Sequence, residues 1–187
     1  MHGLLSIFAA LVVIFGFANA AEGEKPVKRD YTHVTAAPAP VYQDQSEADA
    51  KSAGCLTCHT ATDAPTMHNP IADIRLGCAD CHGGDTSINA TGLAIDSAAY
   101  AAARDKAHVL PTYPDSWHYP SSANPKHSFS LLNRESPEFI RFINPSDYRV
   151  ARESCGSCHM REILAAERSM MATGAMLLGG AAYNNGI

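Results

Sequence analysis

All six cysteines of this 187-residue chain fall into three pairs, and each pair is followed at once by a histidine. The pentapeptides are CLTCH (Cys55, Cys58, His59), CADCH (Cys78, Cys81, His82) and CGSCH (Cys155, Cys158, His159). An even number of cysteines in an exported chain reads by default as a disulfide framework. The spacing overrules that default, because Cys-x-x-Cys-His is the attachment signature of c-type haem. Two thiols reach the vinyl groups on one edge of a porphyrin, and the adjacent imidazole swings beneath the ring to ligate the iron. Histidine supplies 9 of 187 residues, so three CxxC pairs all followed by it is a chance event of roughly one in 10⁴. Zinc suits an isolated CxxC pair, and a thioredoxin-like motif needs a βαβ context that is absent. The spacing predicts three covalently bound haem c groups, with His59, His82 and His159 as proximal iron ligands.

Three such groups change what the core must supply. Aromatic residues make up only 7% of the chain, beside 13 glycines and 11 prolines. Large flat apolar bodies inside the molecule provide buried area that aromatics otherwise would, so the chain without them is expected to fold poorly. Strict apolar–polar alternation is scarce, which predicts a mainly α fold with much irregular loop and few or no strands.

The chain opens with an uncharged apolar run, Leu4 to Ala18, too short to span a bilayer comfortably, and then Ala18-Asn19-Ala20. This pattern predicts a signal peptide over 1–20, cleaved after Ala20. Met1-His2-Gly3 carries no Lys or Arg, so an uncleaved membrane anchor is the alternative. Export predicts a periplasmic, outer-membrane-surface or extracellular protein. A net charge of −5 without a basic block argues against nucleic acid as a partner. Residues 21–46 are polar and Pro-dotted and read as an extended N-terminal arm. Residues 47–187 read as the trihaem domain, with a haem pair at 47–85, a spacer at 86–150 and the third haem at 151–187.

Local signals refine this plan. Gly83-Gly84 predicts a sharp turn, and an Ala-rich helix runs from about Ser97 until Pro111 stops it. Pro111 to Pro125 reads as an irregular loop, and Ser136-Pro137 as an N-cap with proline at the first helical position. After the third motif, REILAAERSMMATGAMLL predicts one helix with Ile163, Leu164, Met171 and Leu178 on an apolar face, ended by Gly179-Gly180.

Five histidines outside the motifs and the leader are candidates for the sixth iron position: His33, His68, His108, His118 and His127. His68 lies nine residues beyond His59, between the first two motifs and near both. His108 sits at a helix end, where its imidazole is able to turn inward. His33 lies in an extended segment able to wrap back over a haem. A solvated surface histidine is the alternative for each, and is preferred for His118 and His127. Methionine is the competing ligand and would raise the potential; Met67, Met160, Met170, Met171 and Met176 are available. Met170 and Met176 lie at helical spacing and read as core packing, and Met160 cannot reach across the ring of its own motif.

GCLTCHTATDAPTMH, GCADCHGG, SANPKHSFSLLNRESPEFIRFINPSDYRVA and SCGSCHMRE…SMMATGAMLLGGAAYNNG resemble the N-terminal part of large multihaem c-type cytochromes of Geobacter-like metal-respiring bacteria. The resemblance implies a haem-cored multihaem cytochrome c fold whose irons are bis-histidine ligated and relay electrons in anaerobic respiration toward outer-membrane or extracellular acceptors. It carries His59, His82 and His159 over as proximal ligands and favours His33, His68 and His108 as distal ones. It implies other redox proteins as partners, such as periplasmic or outer-membrane cytochromes, and association with an outer-membrane complex or a homo-oligomer. No substrate chemistry of its own is implied. The alternatives are a multihaem reductase with one open-coordinate haem and a haem-bearing structural subunit of a conduit or filament. Family members usually run on with further CxxCH motifs, so this chain reads either as a short version or as the first section of a longer one. In the second case the third haem takes its distal ligand from elsewhere and His33 is released from that role.

Overall fold

The computed structural model describes residues 24–61, 68, 74–118, 124–126 and 129–186. The expected signal peptide at 1–20, Met67 and His127 lie outside the described residues. Asp44 starts the first helix, α1 (Gln45–Ala50): its carboxylate accepts from the Glu47 N–H while the Glu47 carboxylate accepts from the Asp44 N–H, a reciprocal cap that satisfies two orphan donors. A 3-10 turn over Cys55–Thr57 and α2 (Cys78–His82) carry the first two pentapeptides. Next come α3 (Ala98–Ala107), α4 (Pro137–Ile143) and α5 (Ala151–Glu167), the last carrying the third pentapeptide. Two short helices, α6 (Met170–Thr173) and α7 (Ala175–Asn184), follow. Among the described residues the only β-type pairing is an isolated bridge between Trp117 and Pro125. The architecture is mainly helical with long loops, as expected.

Several local expectations hold for the reasons that suggested them. Ser97 caps α3 by accepting from the Tyr100 N–H, and Ser136 caps α4 by accepting from the Phe139 N–H, with Pro137 at the first helical position. Gly83 and Gly84 turn the chain at φ +74° and +91°, values that L side chains rarely adopt. The N-terminal arm is extended, and it is docked along 110–116. The Val27 N–H donates to the Thr112 carbonyl at 2.8 Å, Arg29 Nε to Pro111 O at 2.9 Å and the Tyr31 hydroxyl to Leu110 O at 3.0 Å. The Glu24 carboxylate accepts from the Asp115 N–H and the Ser116 hydroxyl.

A core of Val34, Val109, Trp117, Leu132, Phe139, Ile140 and Val150 joins the arm, the 109–117 loop and α4. Trp117 and Phe139 meet edge to face at 5.0 Å.

The C-terminal region departs from expectation in two ways. The single predicted helix is three pieces, because the Ser169 side chain accepts from the Ala172 N–H and starts a new helix, and Gly174 then takes φ +67°. Gly179-Gly180 does not end the last piece, since α7 continues through both to Asn184. Met170 and Met176 are not core residues either: they are 62% and 60% exposed, and Met171 and Leu178 are exposed too. Ile163 is buried as expected; among the described residues no core forms over α6 and α7.

Candidate functional site

Each of the first two motifs is seated on backbone by the glycine that precedes it. The Gly54 N–H donates to Thr86 O at 3.0 Å, and a Cβ on Gly54 would stand 2.3 Å from that oxygen and 2.4 Å from Ile88 O. A Cβ on Gly77 would stand 2.4 Å from Ala48 O and 2.5 Å from Lys51 Cβ. The first motif therefore rests on the segment after the second, and the second rests on α1, just before the first. Gly77→Ala drives a Cβ into the end of α1 at Ala48 and Lys51, and a cost of about 1–3 kcal/mol is expected, read as a lower denaturation midpoint at unchanged slope.

Asp80, inside the second motif, is 5% exposed and anchors this arrangement. Its carboxylate accepts from Lys51 Nζ at 2.7 Å, Gln43 Nε2 at 2.6 Å and the Gly77 N–H at 2.8 Å. Burial pushes its pKa up, but the Lys51, Gln43 and Gly77 donors outweigh that and hold it below the ordinary 3.8. A depressed folded-state pKa contributes stability that is present above the unfolded value and lost as pH falls through the folded one. Acid titration of stability below pH 3.8 is therefore expected to show a loss from this group, absent in Asp80→Asn.

None of the six cysteines is joined to another by a disulfide. Cys55 and Cys78 are hydrogen-bonded to each other, which raises the Cys55 pKa and lowers that of Cys78. The Cys81 thiol is raised by burial first and then by the neighbouring Cys155. Thus α2 brings one of its cysteines beside the first motif and the other beside the third. The 72 residues between His82 and Cys155 are closed in space.

Histidines outside the motifs meet two of the three motif histidines. The His59 and His108 rings lie 6.1 Å apart between centroids with planes 33° apart, and His68 and His159 lie 6.1 Å apart at 29°. This centroid distance is compatible with an ion shared by the two rings. A metal–imidazole bond of about 2 Å, plus about 1.1 Å from nitrogen to ring centre, puts two opposed ring centres about 6.2 Å apart. Among the described residues no group of three or more His, Cys, Asp or Glu converges as an all-protein metal site does.

His108 is half-buried; burial, then the charge of His59, draws its pKa down. That favours the neutral imidazole, the form that binds metal. Phe142 lies 5.1 Å from the His108 ring and edge-on to His82 at 6.5 Å. His82 Nδ1 lies 2.7 Å from the Phe142 carbonyl. A carbonyl only accepts, so Nδ1 carries the proton and Nε2 keeps its lone pair for a metal. The third motif lies within α5, whose helical geometry breaks at His159.

Sequence reasoning named His68 and His108 as partners but not which motif each serves. His68, expected near the first two motifs, stands against His159 of the third. His33 is exposed, and its ring meets no motif histidine among the described residues. The next residue, Val34, lines a cavity with His82, Arg141 and Glu153. His118 is exposed, as expected. The Phe142 carbonyl and Arg141 were missed; the one available signal was a lone cation in the apolar run EFIRFI. Comparison with protein-family models, with curated proteins and with solved structures finds no match.

Proposed function

We propose that this chain is a three-haem c-type cytochrome that relays electrons between other redox proteins on the outer side of the inner membrane. The observation that carries the proposal is the pairing of a motif histidine with a non-motif histidine, twice, at a centroid distance of 6.1 Å, close to what two opposed imidazoles on one iron would give. Six thiols in CxxCH spacing supply the covalent attachments. Haem iron, when bound, provides a one-electron couple, and ligation by two histidines keeps its potential low relative to His/Met ligation. Burial favours the neutral form of His108, and the Phe142 carbonyl orients His82. The contact of Cys78 with Cys55, and the nearness of Cys81 to Cys155, make the second motif the link between the other two. A relay through adjoining attachment sites needs no substrate pocket. The exported location follows from the expected signal peptide, and association with an outer-membrane complex and an extracellular end point from the sequence resemblance.

One observation favours a second function, a reductase with an open iron position. The ring that meets His82 is Phe142, and His82 lines a cavity of about 150 Å³ with Val34, Arg141 and Glu153. Magnetic circular dichroism of the oxidised holoprotein separates the two. Three low-spin irons at rest are expected of the relay, with His33 completing the second site. One high-spin iron at rest identifies the reductase.

A further inference from the structure

Arg141 is the one arginine among the buried residues, 7% exposed, and its four hydrogen bonds all end on main-chain carbonyl oxygens. Nε donates to Cys81 O at 3.0 Å, Nη1 to Ala36 O at 3.0 Å, and Nη2 to Ala37 O at 2.9 Å and Asp80 O at 2.6 Å. Two of those carbonyls belong to the second motif and two to the N-terminal arm. The nearby Asp80 carboxylate is engaged by Lys51. The next residue, Phe142, supplies the carbonyl that orients His82. A single short helix, α4, thus brings both a fixed cation and an orienting acceptor to one motif. Arg141 also lines the cavity that His82 lines.

A guanidinium remains protonated across the working pH range, and partial burial lowers the dielectric through which its charge acts. Reduction adds one electron to an iron centre and lowers its net charge by one, so a fixed cation nearby favours the reduced form. We propose that Arg141 sets the reduction potential of the haem attached at Cys78 and Cys81, holding it above the value that centre would have without the charge. This rests on the haem assignment above. The electron arrives from a neighbouring haem and leaves unchanged in number, so Arg141 alters the energy of the step and not its stoichiometry. The middle site of the relay is thereby made an electron-accepting point between its neighbours.

The test is a spectroelectrochemical titration of the holoprotein, with haem counted by pyridine haemochrome. Arg141→Gln is expected to keep three haems and to shift one of three midpoints negative. The shift is at least about tenfold in that haem's equilibrium, ~59 mV for a one-electron couple. The shifted haem is expected to be neither of those whose spectra change in His108→Ala and His68→Ala. Arg141→Lys, which keeps the charge without the planar fork, is expected to retain the potential. Three haems with unmoved midpoints in Arg141→Gln, or an equal shift in Arg141→Lys, overturns the proposal and leaves Arg141 a clamp. If Arg141→Gln does not assemble, Glu153→Gln decides, since Glu153 is exposed, lines the same cavity and lies near Arg141 without bonding it. Removing that offsetting charge is expected to move the same midpoint positive, and an unmoved midpoint overturns the proposal. A wild-type chain purified with no covalent haem refutes the haem assignment itself, a separate outcome.

Discussion

His108→Ala is expected to leave three haems attached and to turn one of the three irons from low-spin to high-spin. Attachment depends on the thiols, which the substitution does not touch, whereas the sixth position depends on the imidazole facing His59 at 6.1 Å. His68→Ala is expected to do the same to a different iron, the one attached at Cys155 and Cys158, because His68 stands 6.1 Å from His159. The double variant is expected to show two high-spin irons, since the two sites share no ligand. Added imidazole is expected to restore the low-spin spectrum in each. Resonance Raman or magnetic circular dichroism reads the count. A His68→Ala variant that alters the haem on Cys55 and Cys58 instead contradicts the pairing. His33→Ala adds a separate answer for the second motif: a third iron changing spin identifies His33 as its ligand.

Trp117→Ala is expected to cost about 3–5 kcal/mol, a large part of the stability of a domain that has about 5–15 kcal/mol in all. Trp117 is 2% exposed and sits in the cluster that ties the arm, the 109–117 loop and α4 together. Its indole N–H also donates to Glu135 Oε1 at 2.8 Å. That carboxylate accepts from the Thr112 and Tyr113 N–H groups as well, at 2.6 and 3.0 Å. Removing the indole leaves a cavity and takes one of three donors from a buried acceptor. Trp117→Phe keeps most of the volume and is expected to lose about 1–3 kcal/mol, chiefly for the missing donor. Guanidinium unfolding of both variants orders them. Val109, beside His108, belongs to the same cluster, so the alanine variant is also expected to weaken the His59–His108 pairing.

What could be read from the sequence was local. Ser97, and Ser136 with Pro137, announce helix starts through side-chain acceptors placed before orphan N–H groups. Gly83-Gly84 announces a turn that needs positive φ. The CxxCH spacing points to its chemistry without any knowledge of the path between motifs. What was not legible depends on that path. His68 follows the first motif by nine residues yet meets the third, because proximity along the chain does not fix which helix lies opposite. The break at Ser169 and Gly174 was hidden under a continuous helical pattern, since a serine that caps and a serine that merely sits in a helix look alike before the partner N–H is known. Gly179-Gly180 looked like a stop, but Gly174 takes the positive φ. The buried role of Arg141 was hidden because its acceptors are main-chain carbonyls about 60 and 105 residues away in sequence, and backbone leaves no mark on composition.

The most direct test of the central claim is the intact mass of the chain purified from a host that assembles c-type haem. The expected mass is that of the polypeptide plus three haems, falling by one haem with each Cys-to-Ala pair at 55/58, 78/81 or 155/158. A mass equal to the bare polypeptide, or to the polypeptide less the hydrogens of three disulfides, contradicts it.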